Sequence, residues 1–109
     1  MIEKIILDYL TEKLQVSVSL EDEPLTKYVL ISRTGGGEDD LINSGTIAIQ
    51  SYGESLYEAV TLNEEVKNAM AKIKELSTIS RCKLNTDYNY TDTQTKKYRY
   101  QAVYDIVYY

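Results

Sequence analysis

A chain of 109 residues with 43% hydrophobic content is long enough to build one core and too short for two, so a single domain over 1–109 is expected. The formal charge of −5 argues against a protein built to grip nucleic acid, and the absence of histidine excludes the usual zinc sites, Ser-His-Asp triads and Cys-His pairs. No apolar run approaches the ~18 residues of a membrane span, and Met1-Ile2-Glu3-Lys4 lacks the basic opening of a signal peptide, so a cytosolic location without a membrane partner is expected.

Along the chain, Ile2, Ile5, Ile6, Tyr9, Leu10 and Leu14 recur at steps of three and four, which predicts an amphipathic helix over 2–14. Val16, Val18 and Leu20 then alternate with Ser17 and Ser19, the period of a strand. Glu21-Asp22-Glu23-Pro24 reads as a turn, because proline fixes its own φ and donates no hydrogen bond. "KYVLISR" over 27–33 is a second strand, whose continuous apolar middle suggests burial on both faces or a central place in a sheet. Thr34 to Ser44 reads as a flexible, exposed arm, and "TIAIQSY" over 46–52 as the third strand. The longest helix is expected over 55–76. Ser55 and Glu58 have the spacing of a capping box, and Leu56, Ala59, Val60, Leu62, Val66, Ala69, Met70, Ile73 and Leu76 form its apolar stripe. A fourth strand over 80–90 puts Cys82, Leu84, Tyr88 and Tyr90 on one side, and a polar loop, Thr91 to Lys97, leads into "YRYQAVYDIVYY" as the fifth.

This order, α-β-β-β-α-β-β, predicts an α+β two-layer sandwich: a mixed, mostly antiparallel sheet of about five strands with two helices on one face. The second helix forms a right-handed crossover if strands three and four are parallel. The expected core is Ile6, Leu10, Val29, Ile31, Ile47, Ile49, Leu56, Val66, Ile73, Leu84 and Ile106.

Chemistry is sparse. "RTGGGEDD" from Arg33 looks like a phosphate loop until the residues after the last glycine are read. A P-loop needs a lysine and a hydroxyl there, whereas Glu38, Asp39 and Asp40 would repel an anion. The same three carboxylates are adjacent, without the alternate spacing of a calcium loop, so no metal is expected. Cys82 can close no intrachain disulfide and reads as an inert thiol at an apolar strand position. No nucleophile and base stand in a catalytic pattern, so neither an enzyme nor a cofactor is expected.

Two features point to surfaces instead. All 11 aromatic residues are tyrosine, and Tyr98, Tyr100, Tyr104 and Tyr108 share one parity of the last strand. They suit a half-buried face or subunit interface; interleaved with Lys96, Lys97 and Arg99 they also suit a stacking platform for single-stranded nucleic acid, which the acidic total charge opposes. Charge is also divided along the chain. Residues 1–65 hold 13 acidic and 4 basic side chains, and residues 66–109 hold 4 acidic and 8 basic. Either the halves compensate each other internally, or they give the molecule an acidic and a basic side that can dock onto further copies.

The stretches "YVLISRTGGG", "TIAIQSYGESLYEAVTLNEEV" and "YRYQAVYDIVYY", after an amphipathic helix, give the chain a resemblance over nearly its full length to the tail terminator, or tail completion, proteins of long-tailed bacteriophages and prophages. These are also described as minor capsid or head-tail joining proteins. The correspondence lies in Arg33-Thr34-Gly35-Gly36, Gln50-Ser51-Tyr52-Gly53, Glu58-Ala59 and Arg99-Tyr100-Gln101; the acidic Glu38-Asp39-Asp40 matches no family role. The resemblance implies a structural protein of the virion, assembled in the host cytoplasm as a ring, commonly a hexamer. It would cap the head-proximal end of the tail tube, stop tube growth and dock the head-completion or connector protein, with DNA only as cargo through the bore. Expected contacts to neighbouring subunits or the tube are Arg33, Gly35, Gly36, Gly37, Glu38, Asp39 and Asp40 on one side and Lys96, Lys97 and Arg99 on the other. The alternative from another class is a small nucleic-acid-associated or regulatory protein that uses the tyrosine-rich, basic C-terminal strand.

Overall fold

The computed structural model describes residues 1–39 and 42–109, with Glu38 and Asp39 described by their backbone alone. The first amphipathic stretch forms helix α1, Ile2–Lys13, which buries Ile2, Ile6, Tyr9 and Leu10. It stops where Leu14 turns extended while its N–H still donates to the Leu10 carbonyl at 2.8 Å. Strands β1 (Ser17–Ser19), β2 (Tyr28–Asp39) and β3 (Ile42–Gly53) follow, then helix α2 (Leu56–Met70) and a short 3₁₀ turn at Ile73–Glu75. Strands β4 (Ile79–Asn89) and β5 (Tyr98–Tyr108) complete one five-stranded sheet in the order β1-β2-β3-β5-β4. Only β1 and β2 pair in parallel; the other three contacts are antiparallel. The α+β class and the order α-β-β-β-α-β-β are those expected from the periodicities.

Both helices lie on one face because one face of the sheet is apolar. Val29, Ile31, Ile47, Ile49, Ala102 and Ile106 form a single buried cluster with Ile6 and Leu10 of α1 and with Leu62, Val66 and Met70 of α2. Tyr9 joins the two helices through its hydroxyl, which donates to the Ala69 carbonyl at 2.7 Å. Since β3 and β4 both run antiparallel to β5, they run the same way with β5 between them, and α2 carries the chain from one to the other.

Five expectations need correction. The stretch read as a flexible arm is paired over its described length apart from the bulged Thr34, as the outer half of a β2–β3 hairpin. Helix α2 ends at Met70, six residues early. Its last turn tightens into i→i+3 bonds, Glu75 N–H to Lys72 and Leu76 N–H to Ile73, which places Ile73 fully in the core. Leu56 is 40% exposed because it opens α2, and Leu84 is 37% exposed because it sits on the edge strand. The fourth strand carries a bulge between Leu84 and Thr86, so Tyr88 and Tyr90 change sides and do not share a face with Cys82 and Leu84. Finally, the apolar middle of β2 is buried on both faces, at Tyr28 on one and at Val29 and Ile31 on the other, but it is not central: β2 has partners on both sides only over Tyr28–Leu30 and is an edge beyond that point.

Candidate subunit interface

At one end of the sheet the glycine run forms a platform for Arg33. A bulge at Thr34 sets the outer register: Gly35 opposite Thr46, Gly36 opposite Gly45, Gly37 opposite Ser44, Glu38 opposite Asn43 and Asp39 opposite Ile42. The Arg33 side chain lies back along this ladder, its Nε donating to the Gly35 carbonyl at 3.1 Å and its Nη2 to the Ser44 carbonyl at 3.3 Å. A Cβ on Gly36 would fall 2.1 Å from Nη2 and 2.5 Å from the Ser44 oxygen, and the φ of +154° there disfavours any side chain. At Gly35 and Gly37 a Cβ would meet only ordinary contacts, at 3.7 and 3.9 Å. Of the three glycines, then, the middle one is required, by its φ and by the Ser44 backbone oxygen, while the Arg33 guanidinium fills the space its missing side chain leaves. Asp40 lies outside the described residues.

Lys96, Lys97 and Arg99 stand at the other end, where β4 turns into β5. The turn is held by the Asp92 carboxylate, which accepts from the backbone N–H of Gln94 at 2.9 Å and of Thr95 at 3.4 Å; these bonds hold its pKa below the ordinary aspartate value. Lys96 takes a left-handed conformation, φ 57°, and Lys97 bridges back to Asp92. Both lysines are exposed and line a cleft of about 300 Å³ with Leu25, Thr26, Glu54 and Tyr98.

Arg99 is engaged within its own subunit. Its Nε donates to the Tyr90 carbonyl at 2.6 Å and its Nη1 to the Tyr52 hydroxyl at 3.0 Å, with the guanidinium 4.5 Å from the Tyr90 ring centre. Around it runs a polar aromatic network on the face of the sheet away from the helices. Tyr28 stacks on Tyr52 with ring centres 4.4 Å apart, the Tyr52 hydroxyl donates to Gln50, Gln50 to Gln101, and Gln101 to Tyr88. Tyr28 is fully buried, and burial pushes its phenol up to about 12.

The four tyrosines of common parity on β5 do share a face, but it is the helix-covered one. Tyr104 and Tyr108 are in the core, Tyr100 is half-buried and Tyr98 is exposed at the end. Sequence reading missed the other set, Tyr28, Tyr52, Tyr88 and Tyr90, because the last two reach that face only through the bulge after Leu84.

A second polar cluster joins α2 to β4. Asn63 Nδ2 and Lys67 Nζ both donate to Asp87 Oδ2, at 2.9 and 3.0 Å, and Lys67 also pairs with Glu64 at 3.0 Å. The Lys67 hydrogen bond, helped by that from Asn63, holds the Asp87 carboxyl below its ordinary value. Burial pushes the Cys82 thiol up to about 11, which keeps it protonated and unreactive at neutral pH.

The two clusters named by the sequence are far apart within one subunit. Asn43 pairs with Tyr108 beside the hairpin tip and Gly53 pairs with Tyr98 beside the basic turn, ten residues along β3, or roughly 33 Å of extended strand. Acidic tip and basic turn therefore do not neutralise each other internally, and Lys96 and Lys97 are exposed to partners. Compared with known proteins, the chain matches no family model and no curated protein.

Proposed function

We propose that this protein is a tail-terminator-like structural protein of a long-tailed bacteriophage or prophage, working as a ring on the head-proximal end of the tail tube and joining it to the head connector. The observation that carries the reading is the separation of charge: an acidic hairpin tip at one end of the strands and the exposed Lys96 and Lys97 at the other. A ring set between tube and connector presents unlike ends to unlike partners, and opposite charges on opposite ends suit such contacts. A paired hairpin arm also suits the role better than a loose loop, because little ordering entropy is left to lose on docking. Net negative charge fits a bore through which DNA must slide without being held.

The reading is tested by adding purified protein to assembled tail tubes and imaging them. Rings at one tube end, with tube length fixed and head joining restored, are expected; protein that leaves tubes bare overturns it. Tight, salt-sensitive binding to single-stranded DNA in a fluorescence titration would instead favour the nucleic-acid-associated alternative.

A further inference from the structure

We propose that copies of this chain join by strand addition: the outer edge of β4 in one copy pairs antiparallel with the glycine half of β2 in the next, so that the sheet continues from subunit to subunit. This deepens the ring reading and rests on it for the identity of the partner, a second copy of the chain.

Both edges are open. β1 covers β2 only at Tyr28, Val29 and Leu30, and every residue from Ser32 to Gly37 is exposed. On β4, Ser80 to Thr86 are exposed apart from the half-buried Cys82. Among the described residues, no backbone hydrogen bond is made on the outer side of either stretch. Such edges are templates for another strand.

Polarity and level then select the pairing. The strands β2, β3, β5 and β4 alternate in direction, so β2 and β4 run opposite ways and copies placed side by side present antiparallel edges. Across the sheet, Gly37, Ser44, Val107 and Arg81 form one row, and Gly35, Thr46, Asp105 and Lys83 another. A copy shifted sideways therefore brings Gly37 level with Arg81 and Gly35 level with Lys83, and sets the start of the acidic run at Glu38 one row beyond Arg81, level with Ile79. Among the described residues neither of these cations has an ion-pair partner. Bulges at Thr34 and Asn85 bend both edges at nearly the same level, which confines the pairing to the segment on the hairpin-tip side. Basic side chains repel a second β4, while the glycines of β2 set no side chains beside Arg81 and Lys83 on the faces of the joined sheet, so the fit is heterologous and favours a ring over a symmetric dimer. Lys96 and Lys97, at the far end of the strands, are left for a different partner.

In a Cys82→Ser background, Gly37→Cys and Arg81→Cys together place thiols on neighbouring paired positions of adjacent copies, within disulfide reach. Mild oxidation, free in solution or on tail tubes, is expected to give a ladder of covalent oligomers ending at the ring, while each single-cysteine variant stays monomeric on a denaturing gel. Rings without a ladder overturn the pairing and leave the terminator reading standing; ladders from oligomers that never bind a tube do the reverse. Dimers from a single-cysteine variant, or a chain monomeric in both settings, also overturn the pairing. As a second measurement, Arg81→Glu with Lys83→Glu should weaken assembly about tenfold, with partial rescue by Glu38→Lys and Asp39→Lys. Unchanged assembly of the folded Arg81 and Lys83 variant at low salt would overturn the proposal.

Discussion

Single residues show how much a neighbour decides. Gly36 carries an arginine on its face and takes a φ closed to side chains, whereas Gly37 next to it has room for a methyl group. Gly36→Ala should therefore cost ~1–3 kcal/mol in chemical denaturation, and Gly37→Ala should stay within ~0.5 kcal/mol of the parent. Gly53 is tight for a different reason: a Cβ there would stand 2.7 Å from the Ala59 backbone nitrogen, so Gly53→Ala should displace the first turn of α2 and lower the Tm. Asp87 carries a pH dependence. Its folded carboxyl ionises more easily than an unfolded one, so its contact with Lys67 adds stability that is fully present above the ordinary aspartate value, ~3.9, and is lost as pH falls through the lower folded value. Asp87→Asn should cost about 1 kcal/mol at neutral pH and remove that part of the acid sensitivity, read as a flatter plot of stability against pH below ~4.

At the scale of elements, burial separates positions that periodicity treats alike. Ile47 and Ile73 are fully buried, and truncating either to alanine should cost ~2–5 kcal/mol. Leu56→Ala and Leu84→Ala remove side chains that are more than a third exposed and should each cost less than ~1 kcal/mol. Helix α2 begins firmly because Ser55 Oγ accepts from the Glu58 N–H at 3.1 Å, and Glu58 in turn accepts from the Glu54 N–H at 3.0 Å, one residue earlier than in the usual box. The hairpin tip contributes little to the core: its described part beyond Gly36 buries only Gly45. Replacing residues 37–44 by a two-residue turn should leave a cooperative, folded domain by circular dichroism, with assembly lost. Unchanged rings from the shortened chain would show that the tip makes no contact between copies.

For the whole molecule the governing quantity is the distance between charge clusters. About 33 Å of strand separates the tip from the basic turn, several Debye lengths at physiological salt, so each end acts on its surroundings independently. Association that depends on these charges should weaken as salt rises from about 0.05 to 0.5 M, measured by sedimentation, while the melting temperature of the dissociated subunit changes little. Association unaffected by salt would place the stabilising contact in apolar surface instead.

The sequence by itself determined the elements, their order and the α+β class, because the switch between periods of 3.6 and 2, the Ser55 cap and the proline-bearing turn are set by residues within about four positions of one another. It also determined that the chain has no histidine for metal or proton chemistry. Tertiary structure alone decided which side of a strand a residue faces after a bulge, and so moved Tyr88 and Tyr90 off the face of Cys82 and Leu84. It decided that Gly36 lies opposite Gly45 beneath Arg33, which turned a loop signal into a paired strand, and that Arg99 is held by Tyr52 and Tyr90 while Lys96 and Lys97 stay free of side-chain partners among the described residues. Each of these depends on what stands across the sheet rather than along the chain. The register between strands far apart in sequence is set by the packing of the whole apolar face, which no local window contains.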